Sequence, residues 1–375
     1  MFSILVVSLL LSLSSAAKLY GTVAVSQIVY PVSIDTTTGT QTNLGAGSKL
    51  EGQAQGLSCA TADTLFVLGY NFNTSKANLV GFDVSDGSIK YDIPSLPFLE
   101  SGFVGVGQQI ACDTSEVVLV GHEDATGSHH IIAFNPTTEK VRKVVQIPGS
   151  NIGILGGTST LDTKRGIGYF SFAINNTKTK QIDINLYAVS VRPGPDVGKY
   201  KIVPTDESAG HAFSAMKYDA QLDQIIGFSG DPVTKAREIM SMDGAALGTA
   251  RTWKAMGDVV GFQMEDGAII AVDGKNSIMY AIMQPTPTGA QTYVNDTGCG
   301  CEKDAFCCRD PTQPQDQGAC YTHKCNQIPT GAGGLNISEP FRLVAMDLTS
   351  EAKVIASPPL CTLKEGNCPW QLDML

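Results

Sequence analysis

Beyond its first 17 residues the chain has no apolar run approaching the roughly eighteen residues that a membrane-spanning helix needs, so no membrane insertion is expected. It also has no window with a sustained 3.6-residue apolar stripe, which excludes helical bundles and doubly wound sheets covered by helices. There is no basic excess. Against 26 Lys and Arg stand 36 Asp and Glu, and a net charge of −10 argues against nucleic acid and against anionic membrane surfaces as partners. That balance accommodates cationic partners, Ca²⁺ among them, and also serves solubility. The nucleophile elbow, the P-loop and H-E-x-x-H are all missing. The G-x-G within Gly102–Gly107 lacks the following helix of a nucleotide-binding unit, so these glycines read as tight turns and close strand packing.

What the chain does have begins with a leader. Phe2 to Leu13 is apolar but short, and Ser15-Ala16-Ala17 offers small residues for cleavage before Lys18, so residues 1–17 read as a secretory signal peptide. The mature chain, 18–375, is then expected to be secreted and extracellular. Ten cysteines, an even number, read in that setting as disulfides. Four glycosylation sequons agree with the compartment: Asn73, Asn175, Asn295 and Asn336. Asn135 precedes Pro136, which blocks modification.

A period of about fifty residues organises the rest. Short apolar strands end in an acidic turn at Asp63, Asp113, Asp162, Asp219, Asp273 and Asp373, with spacings of 50, 49, 57, 54 and 100. The last spacing is one period carrying a long insertion. A second marker, a strand running into Asp or Asn and a turn rich in Thr, Ser and Gly, recurs at Asp35, Asp83, Asn135, Asp243 and Asp347. Asp and Asn accept hydrogen bonds from the backbone two residues on, and Gly accepts positive φ, so both markers are turn chemistry. The unit around Leu186–Ser190 keeps its strand but has a degenerate turn. Each unit resolves into four strands, A to D, and a period of this size in strands means stacked β units. The first unit starts at its B strand, Leu19–Val25, and its missing A strand reappears at the C-terminus as Trp370–Asp373.

This pattern resembles the six-bladed β-propellers, over essentially the whole mature chain and at the level of architecture. No WD, YWTD or kelch double-glycine series is present. The resemblance implies an all-β ring of four-stranded blades closed by the C-terminal strand, with a seventh blade as the alternative if the insertion hides strands. It also implies that B–C and D–A connections share one face, and A–B and C–D turns the other. All four sequons then fall in B–C connections, as does the insertion, residues 286–340 within blade 6.

The insertion holds Cys299, Cys301, Cys307, Cys308, Cys320 and Cys325 among Gly, Asp, Gln and Pro, too little apolar content for a core without cross-links. Three bridges there allow fifteen pairings. A zinc reading takes Cys299 and Cys301, Cys320 and Cys325, and His323. Secretion and the adjacent Cys307-Cys308 favour disulfides. Cys361 and Cys368 flank the last D–A connection, where a bridge would pin the closing strand. Cys59 and Cys112, at equivalent places on neighbouring A strands, are either paired or buried thiols.

Chemistry-bearing residues are sparse. His122, Glu123, Asp124, His129 and His130 cluster in what reads as a solvated B–C loop. D–A connections carry Glu51, Glu100, Asp206, Glu207, Asp258, Glu265 and Asp266, oxygen ligands suited to Ca²⁺ or to a divalent ion that activates water. Glu51, Glu100, Glu207 and Asp258 are the candidate metal ligands, with His211 as the candidate base. Glu51-Gly52 resembles the first ligand of the metal-dependent six-bladed lactonases, whereas Gln53 and Ala54 stand where those enzymes have Pro and Trp. The expectation is therefore a secreted, glycosylated binding or extracellular matrix module that engages a protein or glycan and needs no cofactor. A lactonase-like metal-dependent hydrolase and a purely structural, calcium-associated matrix component are the alternatives.

Overall fold

A computed structural model describes every residue except 1–17, 26–27, 51–57, 72–75, 97–102, 114, 124–127, 148–151, 177–180, 204–211, 231–236, 250–252, 260, 264–268, 286–293, 297–305, 310–318, 322–324, 326–339, 363–367, 370 and 375. Among the described residues there is no α-helix. Strand pairing gives six antiparallel blades and one small extra sheet. Written A to D from the inside, blade 2 is Ser58–Ala60, Thr64–Asn71, Lys76–Asp83 and Ile89–Ile93. Blade 3 is Phe103–Cys112, Val117–Glu123, Ser128–Asn135 and Lys140–Ile147. Blade 4 is Ile152–Asp162, Ile167–Asn176, Gln181–Ser190 and Tyr200–Val203. Blade 5 is Ala212–Asp219, Gln224–Gly230, Arg237–Asp243 and Lys254–Asp258.

Blades 6 and 1 carry the departures. Blade 6 is Ile270–Asp273, Ile278–Pro285 and Phe341–Asp347, and its outer edge is split between Lys353–Ala356 and Pro359–Cys361. Between its B and C strands the insertion forms a three-stranded sheet, Val294–Asn295, Phe306–Arg309 and Ala319–Tyr321, and not a seventh blade. Blade 1 has Lys18–Val25, Ile28–Asp35 and Gln41–Asn43, and its inner strand is Gln371–Met374 from the far end of the chain. That strand pairs with the first, Leu19 opposite Met374 through Thr22 opposite Gln371.

Blades stack face to face, so a mid-blade strand is buried on both sides and reads as an apolar run. In blade 2, Phe66 and Leu68 point to blade 3 while Val67 points to blade 1. Six buried clusters result, one at every seam. The seam between blades 6 and 1 holds Tyr280 and Leu343 against Leu19 and Ile34. Burial at about 1.5–3 kcal/mol per large apolar side chain makes these seams the main stabilising term. Innermost strands also touch in chain order, with Gln371–Met374 between the A strands of blades 6 and 2. This contact order is compatible with a closed ring.

An outer set of contacts repeats the logic at the rim. The C–D turn of one blade seats on the outer strand of the preceding one. Gly39 of blade 1 lies against the Pro359 carbonyl of blade 6, Gly87 of blade 2 against Leu44 and Gly45, and Gly198 of blade 4 against the Val144 carbonyl. Gly257, in the outer strand of blade 5, lies against the Glu351 carbonyl in the C–D turn of blade 6. All four seats leave no room for a Cβ, and Gly39, Gly87, Gly198 and Gly257 have positive φ besides.

Candidate functional site

On the face of the A–B and C–D turns, the recurrent acids build the turns themselves. Asp35 Oδ1 accepts hydrogen bonds from the Thr37 and Thr38 amides, Asp113 Oδ1 from Ser115 and Glu116, and Asp219 Oδ1 from Gln221 and Leu222. Asn135 and Asp347 do the same for the residues two ahead of them. On the aspartates these bonds favour the charged form. The Thr38 amide holds Asp35 below the usual carboxylate range, the Ser85 hydroxyl does so for Asp83, and the Ser350 hydroxyl for Asp347. The Lys90 ammonium, 2.7 Å away, and the Thr64 hydroxyl bring Asp63 down to about 2.

Neighbouring turns are joined by charge. Arg165 of blade 4 donates to both Asp223 oxygens of blade 5 and to buried Asp162, while the Tyr218 hydroxyl donates to Asp223 Oδ1 at 2.8 Å. Arg165 holds Asp223 far below the usual carboxylate range, and burial followed by the Asp223 bond pushes Tyr218 up. Arg192, beyond the C strand of blade 4, lies 3.9 Å from Asp113 of blade 3. Asp219 of blade 5 accepts from the Gly274 amide of blade 6 at 3.1 Å. The carboxylates named here serve the turns and the seams between blades.

The opposite face carries the B–C and D–A connections. Glu51, Glu100, Glu207 and His211 lie outside the described residues, as do Asp206, Glu265, Asp266 and Asp124. Asp258 ends the outer strand of blade 5, opposite Glu238 in register. No group of three or more metal-ligating side chains occurs among the described residues. His122, Glu123, His129 and His130, expected in a solvated loop, stand in the two strands of a hairpin, with Gly121 opposite His130 and His122 opposite His129. His129 and His130 are buried, and His129 lies beside Phe172 of blade 4 with ring centroids 6.2 Å apart. Alternation along a strand with two buried faces turns both imidazoles inward.

Cysteines 59 and 112 are bridged, joining the A strands of blades 2 and 3, and Cys361 is bridged to Cys368. Within the insertion Cys308 is bridged to Cys325 and Cys307 is also disulfide-bonded, while Cys299 and Cys301 lie outside the described residues. Cys320 stands opposite Cys307 in the small sheet. Of the sequons, Asn295 is exposed on that sheet, Asn175 sits near the end of the blade 4 B strand, and Asn73 and Asn336 lie outside the described residues.

Exposed large apolar side chains among the described residues fall into two sets. Ile89, Ile202 and Ile355 lie on outer strands and Val197 in the turn beside one, as edge strands permit. The other four lie at the B–C connections of two adjoining blades. Val25 and Ile28 are register partners at the tip of the blade 1 hairpin, and Val294 and Phe306 lie on the insertion of blade 6. Sequence reading did not single these out. The only local signal was the pair of apolar residues flanking Ser26-Gln27.

No family model and no curated protein sequence matches the chain. Solved structures do. A chain of the nidogen/laminin complex is 10% identical with a TM-score of 0.52, over 96% of this chain and 98% of that one. A putative TolB from Agrobacterium tumefaciens is 9% identical with a TM-score of 0.46, over 92% and 89%. An oligogalacturonate lyase in complex with manganese is 12% identical with a TM-score of 0.42, over 74% and 70%. At these identities the likeness is one of fold, and the fold of this chain is the six-bladed β-propeller.

Proposed function

We propose that the chain is a secreted, N-glycosylated binding module that captures an extracellular protein on the B–C face of blades 6 and 1. The carrying observation is the exposure of Val25, Ile28, Val294 and Phe306 at the B–C connections of two adjoining blades, while carboxylates of the other face such as Asp223 are engaged in turns and ion pairs. Apolar residues grouped in water mark a contact surface more often than a catalytic one. The disulfides of the insertion support the same reading, because a cross-linked knob presents its side chains without ordering cost on binding. The nidogen/laminin structure supports it by showing that a chain of this fold takes part in a protein–protein complex.

The test is retention of the secreted protein on decellularised matrix. Val294→Glu with Phe306→Glu is expected to cut retention about tenfold or more, the effect of losing one or two anchors. Ile89→Glu with Ile202→Glu, on outer strands, is expected to leave it unchanged. Equal retention by both variants would refute the assignment. Loss after glycosidase treatment of the matrix, with no loss after protease, would replace a protein partner by a glycan.

A further inference from the structure

We propose that the Cys361–Cys368 bridge is a redox latch on ring closure that gates the docking surface, an inference that rests, for its second half, on the reading above. The ring is covalently continuous except within blade 1. There Gln371–Met374, at the chain end, is held to Lys18–Val25 through four register pairs. The bridge stands at this joint. Cys361 ends the outer strand of blade 6, and Cys368, with a Cα 5.1 Å away, lies three residues before the closing strand. Both pack into the seam between blades 6 and 1, with Leu19, Phe341 and Leu343. A strand held by so few pairs opens readily unless something ties it down.

The bridge is also partly accessible. Of the six cysteines in the bridges 59–112, 308–325 and 361–368, only Cys368 is not buried. Thiol–disulfide exchange needs an approach to sulfur, so a dithiol reductant meets this bridge before 59–112 and 308–325. Its thiolate attacks Cys368 Sγ, forms the mixed disulfide and expels Cys361 as thiolate. The second reagent thiol then displaces Cys368, leaving two protein thiols and the oxidised, cyclic reagent. The seam so released lies between blade 1, which carries Val25 and Ile28, and blade 6, which carries Val294 and Phe306, the two halves of the proposed surface.

The experiment is a dithiothreitol titration of the secreted full chain, with alkylation mapping of thiols and amide hydrogen exchange read in parallel. Cys361 and Cys368 are expected to become alkylated while Cys59, Cys112, Cys308 and Cys325 stay protected. At that point exchange in Gln371–Met374 should rise about tenfold or more, with Thr64–Asn71 unchanged. Reduction of 59–112 first, or reduction of 361–368 without faster exchange in the closing strand, overturns the latch. The double variant Cys361→Ser/Cys368→Ser should reproduce the opened state, and the titration of the native chain decides the matter if that variant does not fold. Matrix retention is read separately. Retention that survives selective opening overturns the gating, whereas an oxidised chain that is never retained refutes the docking surface and leaves the latch standing on its exchange data.

Discussion

The guanidinium of Arg165, in the A–B turn of blade 4, forks onto both oxygens of Asp223, in the A–B turn of blade 5, at 2.7 Å each. The same guanidinium reaches Asp162, whose side chain is fully buried. One side chain thus fixes the angle between two blades and neutralises a carboxylate that water does not reach. Arg165→Met is expected to destabilise the protein by about 3 kcal/mol, because it leaves the buried Asp162 carboxylate without its counter-charge. Asp223→Asn should cost less, since Arg165 keeps Asp162. Urea unfolding of the two variants checks the order, and a more damaging Asp223→Asn would contradict it.

The rim seats predict a contrast between glycines. Gly257→Ala places a methyl group on the Glu351 carbonyl of the next blade, whereas Gly248, at φ 90°, has nothing within 4 Å. Gly248→Ala should cost about 1 kcal/mol, the conformational term alone. Gly257→Ala adds a steric term and should lower the melting temperature clearly further. Equal melting temperatures would mean that the rim contact contributes nothing.

Acid should loosen the turns in a defined window. Asp63 has a folded pKa of about 2, below its unfolded value near 3.9, and Asp35, Asp83 and Asp347 are shifted in the same direction. Groups lowered on folding contribute stability that is present above the unfolded pKa and lost as pH falls through the folded one. The melting temperature should therefore hold from pH 7 to about 5 and decline from about 4 towards 2. Asp63→Asn should make that decline shallower; an unchanged slope would remove Lys90–Asp63 as a contributor.

The two blade-level bridges should differ in weight. Cys59–Cys112 closes a separation of 53 residues and Cys361–Cys368 one of 7. On the loop-entropy relation their removal costs about 4 and about 2 kcal/mol respectively. Double alanine variants compared in guanidinium test this. The reverse order would show that the local clamp outweighs the long loop.

The proposed protein-binding role predicts no cation dependence of melting. EDTA, Ca²⁺, Mg²⁺ and Zn²⁺ should leave the transition unmoved, because a ligand of the native state raises it by mass action. A rise with one cation, abolished by Glu51→Gln with Glu100→Gln, would favour the hydrolase instead.

Much of this fold was legible because its turns are local. Asp35, Asp83, Asn135 and Asp347 bond their own neighbours, so their spacing marks C–D hairpins wherever the blades end up. The displaced inner strand was legible because the first unit lacks an A strand of its own, which Trp370–Asp373 supplies. The degenerate turn of blade 4 proved to be a longer connection closed by Gly198 bonding to Ser190 and by the 190–199 backbone pair. What escaped was non-local. His129 and His130 look like loop residues until register places them between blades. Arg165 and Asp223 lie 58 residues apart and become neighbours only when consecutive turns align. The exposed set on blades 1 and 6 joins opposite ends of the chain, so no window of sequence contains it.

The central claim is the location of the binding surface, and hydrogen exchange of the protein bound to matrix, compared with the free protein, tests it most directly. Protection confined to the hairpin tip at Val25 and Ile28 and to the insertion strands Val294–Asn295 and Phe306–Arg309 is the predicted footprint. Protection centred on the turns that hold Arg165 and Asp223, with those four segments unchanged, would contradict it.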